Sequence, residues 1–319
     1  MMLMIVLANT PWYLYGKNPG LSAIHPGEGS ALDRAAQLLI MTFIDSRVYP
    51  MFAFLFGYGM VQLFRRQIDA GTPVKVARRL LRRRNLWLLV FGFVHAALLW
   101  YGDVLGAYGL AGLIVVAIFF KRRDQTLLIW AIALTGWLVS GMVAALMAAP
   151  FAARVPIDPG AVSFFGVSVE LSGIENYPAS ILARLQFWPF LVLFQGVLSL
   201  VIPTMLLLAF WAARQRILEE PARHLPLLRR VAVIGLAVGW SFGLVHAIDH
   251  IGPGLVPEQV FWVFLATQSV SGLFGGLGYV ALFGLIGHRI VARHHPLGVG
   301  VVAITAVGKR SLSCYLASR

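Results

Sequence analysis

The chain has 319 residues, of which 59% are hydrophobic and only 12% charged, and its mean hydropathy is +0.79. A soluble domain carries ~25% charged residues, so long apolar blocks at half that charge exclude one and predict a polytopic membrane protein. The net charge of +13 raises the question of nucleic acid, which the placement of the charges answers below. A single cysteine, Cys314, excludes a disulfide framework and a cysteine-cluster metal site. The N-terminus has neither a basic n-region nor a small-residue cleavage site, so no cleavable signal peptide is predicted.

A spanning helix needs about 20 mostly apolar residues. Met1–Leu14 is apolar but short and carries Pro11, and it reads as the outer end of a first span that begins outside this chain. Tyr15–Ser30 is a loop, and Ala31–Ile44 suits an interfacial helix leading into span two. Further spans are predicted near 44–64, 86–100, 104–120, 126–149, 187–211, 231–247 and 260–286, within one transmembrane domain. Pro150–Leu185 is a long proline-containing loop, and Leu297–Arg319 starts a further span without completing it. The expected fold class is therefore an all-α, polytopic transmembrane helix bundle of about eight spans, the first incomplete. In span eight Gly272 and Gly276 have the GxxxG spacing that lets helices approach closely.

Lysine and arginine divide unevenly between alternate connections. The block Arg65–Arg84, Lys121–Arg123, the linker Arg214–Arg230 and the segment with Arg289 and Arg293 together hold eighteen. The other side holds five, namely Lys17, Arg34, Arg47, Arg154 and Arg184. This predicts that the basic loops are cytoplasmic and makes the charge a topology signal rather than a nucleic-acid surface. Trp12, Tyr13, Trp100, Tyr101, Trp188 and Trp211 fall at span ends, where aromatic residues anchor to the interface.

Ionisable groups are costly in lipid, so those near spans face the bundle interior and find partners. His95 lies about five residues from the outer end of span three, roughly 8 Å deep. Asp103 follows at the outer turn, Asp45 and Arg47 head span two, and Asn9 closes span one on the same side. A histidine is the usual general base near neutral pH. A carboxylate can orient it, and an arginine can bind an anionic group or offset oxyanion charge. The structural alternative is that His95 bonds a neighbouring helix and that Asp45 and Arg47 form a local pair. His246, Asp249 and His250 have spacings that place them on one helical face, but a zinc site there lacks a fourth protein ligand, so no metal is expected. His294 and His295 read as a solvated loop pair. Gln195 and Pro203 in span six mark either a polar cavity or a kink. No P-loop, dinucleotide fingerprint or serine nucleophile elbow is present.

The segment Phe52–Gly59 resembles the "LFGxG" signature of the YeiB-like membrane proteins (domain of unknown function 418), with Asp45-Ser46-Arg47 as its preceding polar pair. Gly92–His95 followed by Tyr101–Leu105 and Tyr108 resembles the "GxxH…GDIL..Y" segment, Gly308–Leu316 the "GRMALTNYL" segment, and Asn9 the end of the first span. The family usually opens with "LDxLRG" and runs on past "NYL", so this chain is expected to be an internal portion of a longer protein. The family is similar in layout to transmembrane acyltransferases of the heparan-glucosaminide acetyltransferase type, whose "VFPWF" segment Val48–Phe52 would match. That likeness implies a bacterial inner-membrane acyltransferase passing an acyl group from cytoplasmic acyl-CoA to a hydroxyl or amine, such as a glycan or other small molecule, on the outer side. It makes His25 a second candidate base beside His95, with Asp103 or Asp45 orienting and Arg47 binding. Arg78, Arg79, Arg82 and Arg83 are candidates for the donor's phosphates, although topology alone accounts for them. No cofactor besides an acyl-CoA donor is implied. The competing classes are a transporter or channel that uses the same polar groups, and a non-catalytic membrane scaffold.

Overall fold

The computed structural model describes residues 2–13, 25–27, 29–156, 167, 170–171, 173–252, 256–292 and 298–309. Their regular structure is helical, with no strand among the described residues. The helices are α1 (Met2–Asn9), α2 (Ala31–Phe43), α3 (Val48–Asp69), α4 (Val74–Leu98), α5 (Leu105–Phe119) and α6 (Asp124–Ala152). They continue with α7 (Tyr177–Leu193), α8 (Val201–Arg214), α9 (Leu225–Ile251), α10 (Trp262–Ala292) and α11 (Val299–Lys309). Five segments are long and apolar enough to cross a membrane by length and composition: Ala31–Asp69, Asp124–Ala152, Tyr177–Leu198, Pro221–Ile251 and Trp262–Ala292. Shorter apolar helices, α5 and α8 among them, fill the bundle between these. The expected all-α polytopic bundle is what forms.

The block expected as a basic loop is mostly helix. α3 runs on to Asp69 and α4 begins at Val74, so only Ala70–Pro73 turns, with Gly71 at φ +81°. The reason lies in the pattern beneath the arginines. Ala77, Leu81, Asn85, Gly92 and His95 recur at helical spacing and are buried, so one apolar stripe continues from the span into the charged stretch. With 25 residues α4 is ~37 Å long, which carries its arginine-rich first turns past a ~30 Å hydrocarbon core.

α3 is central. Met51, Ala53 and Met60 on it, and Met205, Leu206 and Phe210 on α8, have no accessible surface. α4 pairs with α5, and α9 pairs with α10. The glycines of span eight are the packing face that their spacing predicts. A Cβ at Gly276 would lie 2.8 Å from the Met51 backbone nitrogen, and one at Gly239 of α9 would lie 2.8 Å from Gly275 Cα. Only hydrogen at these positions lets the backbones meet.

Two spans are interrupted. Between α2 and α3 the chain turns at Ile44–Arg47, with Ser46 at φ +61°. The predicted span six breaks after a π-helical turn, Phe194–Leu198, with Leu200 at φ +58°. A non-glycine residue at positive φ costs of order 1 kcal/mol or more and persists only where its surroundings hold it. The first break is well held. Arg47 is fully buried, and its guanidinium donates to the carbonyls of Met41 (3.2 Å), Asp45 and Gly239. The Tyr279 hydroxyl donates to the Phe43 carbonyl at 2.6 Å. The Met41 and Phe43 carbonyls are ones that the end of α2 would otherwise leave without partners, while the bond to Gly239 ties the break to the middle of α9.

Opposite this region the basic ends are tied together. Arg214 donates to the Arg122 and Phe120 carbonyls, both at 2.7 Å, and to Asp124 Oδ1 at 2.8 Å. Glu219 accepts from the Tyr58 hydroxyl, from Gln62 Nε2 at 3.1 Å and from Arg65 Nη1 at 3.4 Å. Burial works against its charge, but the Tyr58 hydroxyl, the Gln62 amide and Arg65 outweigh it and hold the carboxyl below its ordinary value.

Candidate functional site

At the end of the bundle away from these basic helix ends lies a cavity of about 900 Å³. Its wall is mostly apolar and aromatic, with Trp12, Phe52, Trp100, Tyr101 and Tyr108 among its lining. Both helix breaks reach it, through Asp45 and Ser46 on one side and Gln195 and Ser199 on the other. Irregular backbone at membrane depth is tolerated where it lines such a space. Gln195, which the sequence leaves open between a polar cavity and a kink, stands at both.

His25 and Asp45 face this cavity as a pair. His25 Nε2 and Asp45 Oδ2 are 2.6 Å apart, with the imidazole 3% and the carboxylate 25% exposed. The pair joins residues twenty positions apart in the chain. It is placed from below by the break before α3, which brings Asp45 to the wall. It is placed from above by residue 26, whose carbonyl accepts from Gln37 of α2 at 3.0 Å. With Asp45 ionised, Nε2 must carry the hydrogen, which leaves the lone pair of a neutral ring on Nδ1. Asn9 lines the same cavity from the end of α1.

His95 and Asp103 form the pair that the sequence proposes, Nδ1 to Oδ1 at 3.1 Å, with side chains 2% and 0% exposed. Neither is among the cavity's lining residues, although Tyr101, Gly102 and Val104 beside them are. Asp103 Oδ2 also accepts from the Gly106 backbone N–H at 2.9 Å, so this carboxylate ties the end of α4 to the first turn of α5. Arg47 likewise stands off the cavity, its guanidinium engaged with main-chain carbonyls. Of the residues proposed from sequence, Asn9, His25 and Asp45 therefore converge on the cavity, while His95, Asp103 and Arg47 lie behind its wall.

His246 also lines the cavity, stacked on Phe264 with ring centroids 4.4 Å apart. Asp249 accepts from the Val256 backbone N–H at 2.9 Å, and the His250 ring lies 6.0 Å from that of His25. Among the described residues no group of three or more His, Cys, Asp or Glu side chains is arranged to hold a metal ion. Gln268 is a lining residue that sequence reasoning missed. Its signal was available: Thr267-Gln268-Ser269 is a polar triplet inside an apolar span, which marks a buried partner or a cavity. Arg79, Arg82 and Arg83 are exposed on the basic part of α4 and Arg78 is partly buried there. His294 and His295, and the Arg310–Leu316 part of the C-terminal motif, lie outside the described residues.

Residues 212–319 match the family model described as "Protein of unknown function (DUF418)". The chain is 30% identical over 259 residues to the uncharacterized protein YxaH of Bacillus subtilis (strain 168), covering 77% of this chain and 62% of that protein. It is 31% identical over 123 residues to an uncharacterized 39.9 kDa protein in the amylase 3' region of Bacillus acidopullulyticus, covering 39% of this chain and 32% of that one. To the uncharacterized protein YeiB of Escherichia coli (strain K12) it is 42% identical over 64 residues, 20% of this chain and 14% of that one. The chain thus spans less than two thirds of the length of these relatives. No solved structure matches it. On the family model, the relatives and the ordered motifs together, the chain belongs to the YeiB-like DUF418 family.

Proposed function

We propose that the cavity is an acyl-transfer centre, in which an acyl group passes from a thioester donor such as acyl-CoA to a hydroxyl or amine acceptor. The observation that carries this reading is the His25–Asp45 pair at 2.6 Å on the cavity wall. His25 Nδ1 takes the proton of the acceptor hydroxyl as its oxygen attacks the thioester carbonyl. The new C–O bond forms, the C–S bond breaks, and the leaving thiolate recovers that proton from His25. Asp45 orients the ring and stabilises its charged form, and the Asn9 amide is the donor for the developing oxyanion. His95–Asp103 and Arg47 hold the helix ends that carry this arrangement. Removing a general base of this kind costs on the order of 10²- to 10⁴-fold in rate.

The donor belongs at the basic end, where Arg78, Arg79, Arg82 and Arg83 offer charge to its phosphates. Arg84 there lies 4.8 Å over the Phe56 ring, and Phe56, Tyr108 and Phe52 follow one another in ring contact to the cavity wall. That aromatic row is the route along which a donor's acyl arm would reach His25. On this reading the basic end is cytoplasmic, the cavity opens toward the outer half of a bacterial inner membrane, and reporter fusions at residues 72 and 102 report opposite compartments.

The test is acyl-CoA turnover by purified full-length protein in nanodiscs. CoA release that requires an acceptor and disappears in His25→Ala, while the variant keeps its melting temperature, supports the reading. Turnover retained in that variant ends it. A second reading, transport of a small solute, draws on the two interrupted spans that meet at the cavity, a pattern of broken helices at a binding site. Solute flux into liposomes without CoA release would favour it.

A further inference from the structure

Part of the cavity's lining lies on the outer flank of the bundle. Its lining includes Trp137 and Gly141 of α6 and Phe190 and Phe194 of the α7 segment. These are not interior positions: Trp137 is 70%, Phe190 53% and Phe194 46% exposed. Buried lining residues such as Tyr108, at 2%, show what the inner wall looks like. α6 is seated on α8 and α10, whereas α7 is seated on α4 and α5, so the two helices bound the cavity from different sides. Trp137 is thirteen residues into α6, ~20 Å from its basic end, and so faces hydrocarbon rather than water. A molecule that enters there comes from the bilayer.

The polar part of the wall narrows the chemistry of that molecule. Among the described lining residues Asp45 is the one carboxylate, and there is no lysine or arginine. A phosphate placed here would lose its hydration beside a carboxylate with no cation to offset the cost. Hydrogen-bonding neutral groups are present instead. Gln268 is 6% exposed, its Nε2 donates to the Phe242 carbonyl at 3.1 Å, and its buried Oε1 has no hydrogen-bond partner among the described residues. The amide orientation is set by that carbonyl, so the open atom is an acceptor and calls for an O–H or N–H donor.

We infer that the cavity binds a neutral, hydroxyl-bearing amphiphile from the bilayer. Its hydroxyl end lies among Gln268, His25 and Asp45, and its chain leaves between α6 and the α7 segment. This rests on the acyl-transfer reading only in naming the hydroxyl as the acceptor; the binding stands by itself.

The test uses full-length protein in nanodiscs and a diazirine-bearing monoacylglycerol as probe, with labelled peptides mapped by mass spectrometry. Gly141→Trp is placed to plug the opening; a Cβ at Gly141 meets nothing within 4 Å, and an unchanged melting temperature checks that the larger ring leaves the fold intact. Gly136→Trp is the control, equally open on the same helix but outside the lining. Labelling is expected on 137–145 and 190–195, to fall about tenfold in Gly141→Trp, and to persist in Gly136→Trp. Unlabelled monoacylglycerol is expected to compete, and anionic phosphatidylglycerol is not. Labelling that ignores Gly141→Trp, or that phosphatidylglycerol competes equally, overturns the inference. Intact, window-dependent labelling without CoA release would sink the acyl-transfer reading alone. CoA release to a soluble acceptor without window-dependent labelling would sink this one alone.

Discussion

Two histidine–aspartate pairs stand near one end of the bundle, and their surroundings differ more than their chemistry. His25–Asp45 sits on a cavity wall with a quarter of its carboxylate accessible. His95–Asp103 is closed in protein, and its second carboxylate oxygen is engaged by the Gly106 N–H. A pair that a ligand can reach is equipped to exchange protons. A pair closed in this way fastens two helix ends, because removing either partner takes a contact from a polar group buried away from water. On the proposed reading the same two residue types serve chemistry in one place and architecture in the other; the two imidazoles are equally buried, and what differs is the exposed Asp45 carboxylate and the cavity beside it.

The sharpest way to break that contrast is to delete each histidine in the full-length protein. His25→Ala should lower acyl transfer on the order of 10²- to 10⁴-fold while leaving the melting transition in detergent nearly unchanged. His95→Ala should instead cost ~3–5 kcal/mol of stability, read as a lower melting temperature, with activity tracking the folded fraction. If His95→Ala melts like wild type and loses turnover, the roles are reversed. Arg47→Met comes next in size. It strips a donor from the Met41 carbonyl near the end of α2, worth ~1–3 kcal/mol when buried without a partner, and removes the tie to Gly239 of α9, so it should lower the melting temperature and broaden proteolysis near residues 44–47. Gly276→Ala pushes a methyl group against the backbone of α3 at Met51 and should cost ~1–3 kcal/mol, whereas an alanine at the open position Gly141 should cost nothing measurable.

The smallest expected effect lies at the far end of the bundle, where a third carboxylate is neither reactive nor sealed. Glu219 is held below its ordinary value of 4.5, so it contributes stability above that pH, where it is ionised in both states. The contribution is lost as pH falls from about 4.5 through the lower folded value. Wild type should thus melt above Glu219→Gln at neutral pH, and the two curves should converge in acid. Curves that stay parallel would remove Glu219 from the contacts that hold the basic ends together.

Much of the architecture was readable along the chain. The spans, the helix class and the family segments were legible because apolar runs of fixed length and motif order are local properties. The arginine block reads as loop from sequence because charge density hides the Ala77–Leu81–Asn85 stripe that keeps it helical. The break in span six was marked by Gln195 and Pro203, but its position at Leu200 depends on what packs around it. Gln268 has a local signal, the polar triplet Thr267–Ser269 inside an apolar span, but nothing in the triplet tells which of its members faces a cavity.

Composition and charge order determined by themselves that this chain folds as a helical membrane bundle with its basic residues gathered in alternate connections, since the cost of charge and of bare peptide groups in lipid leaves few other solutions. They could not determine which histidine meets a cavity. His25 and Asp45 are twenty residues apart, and only the turn at Ile44–Arg47, held by Arg47 on carbonyls up to 192 positions away, brings them together on an accessible wall. Burial and access are sums over every neighbouring helix, and only the tertiary structure carries out that sum.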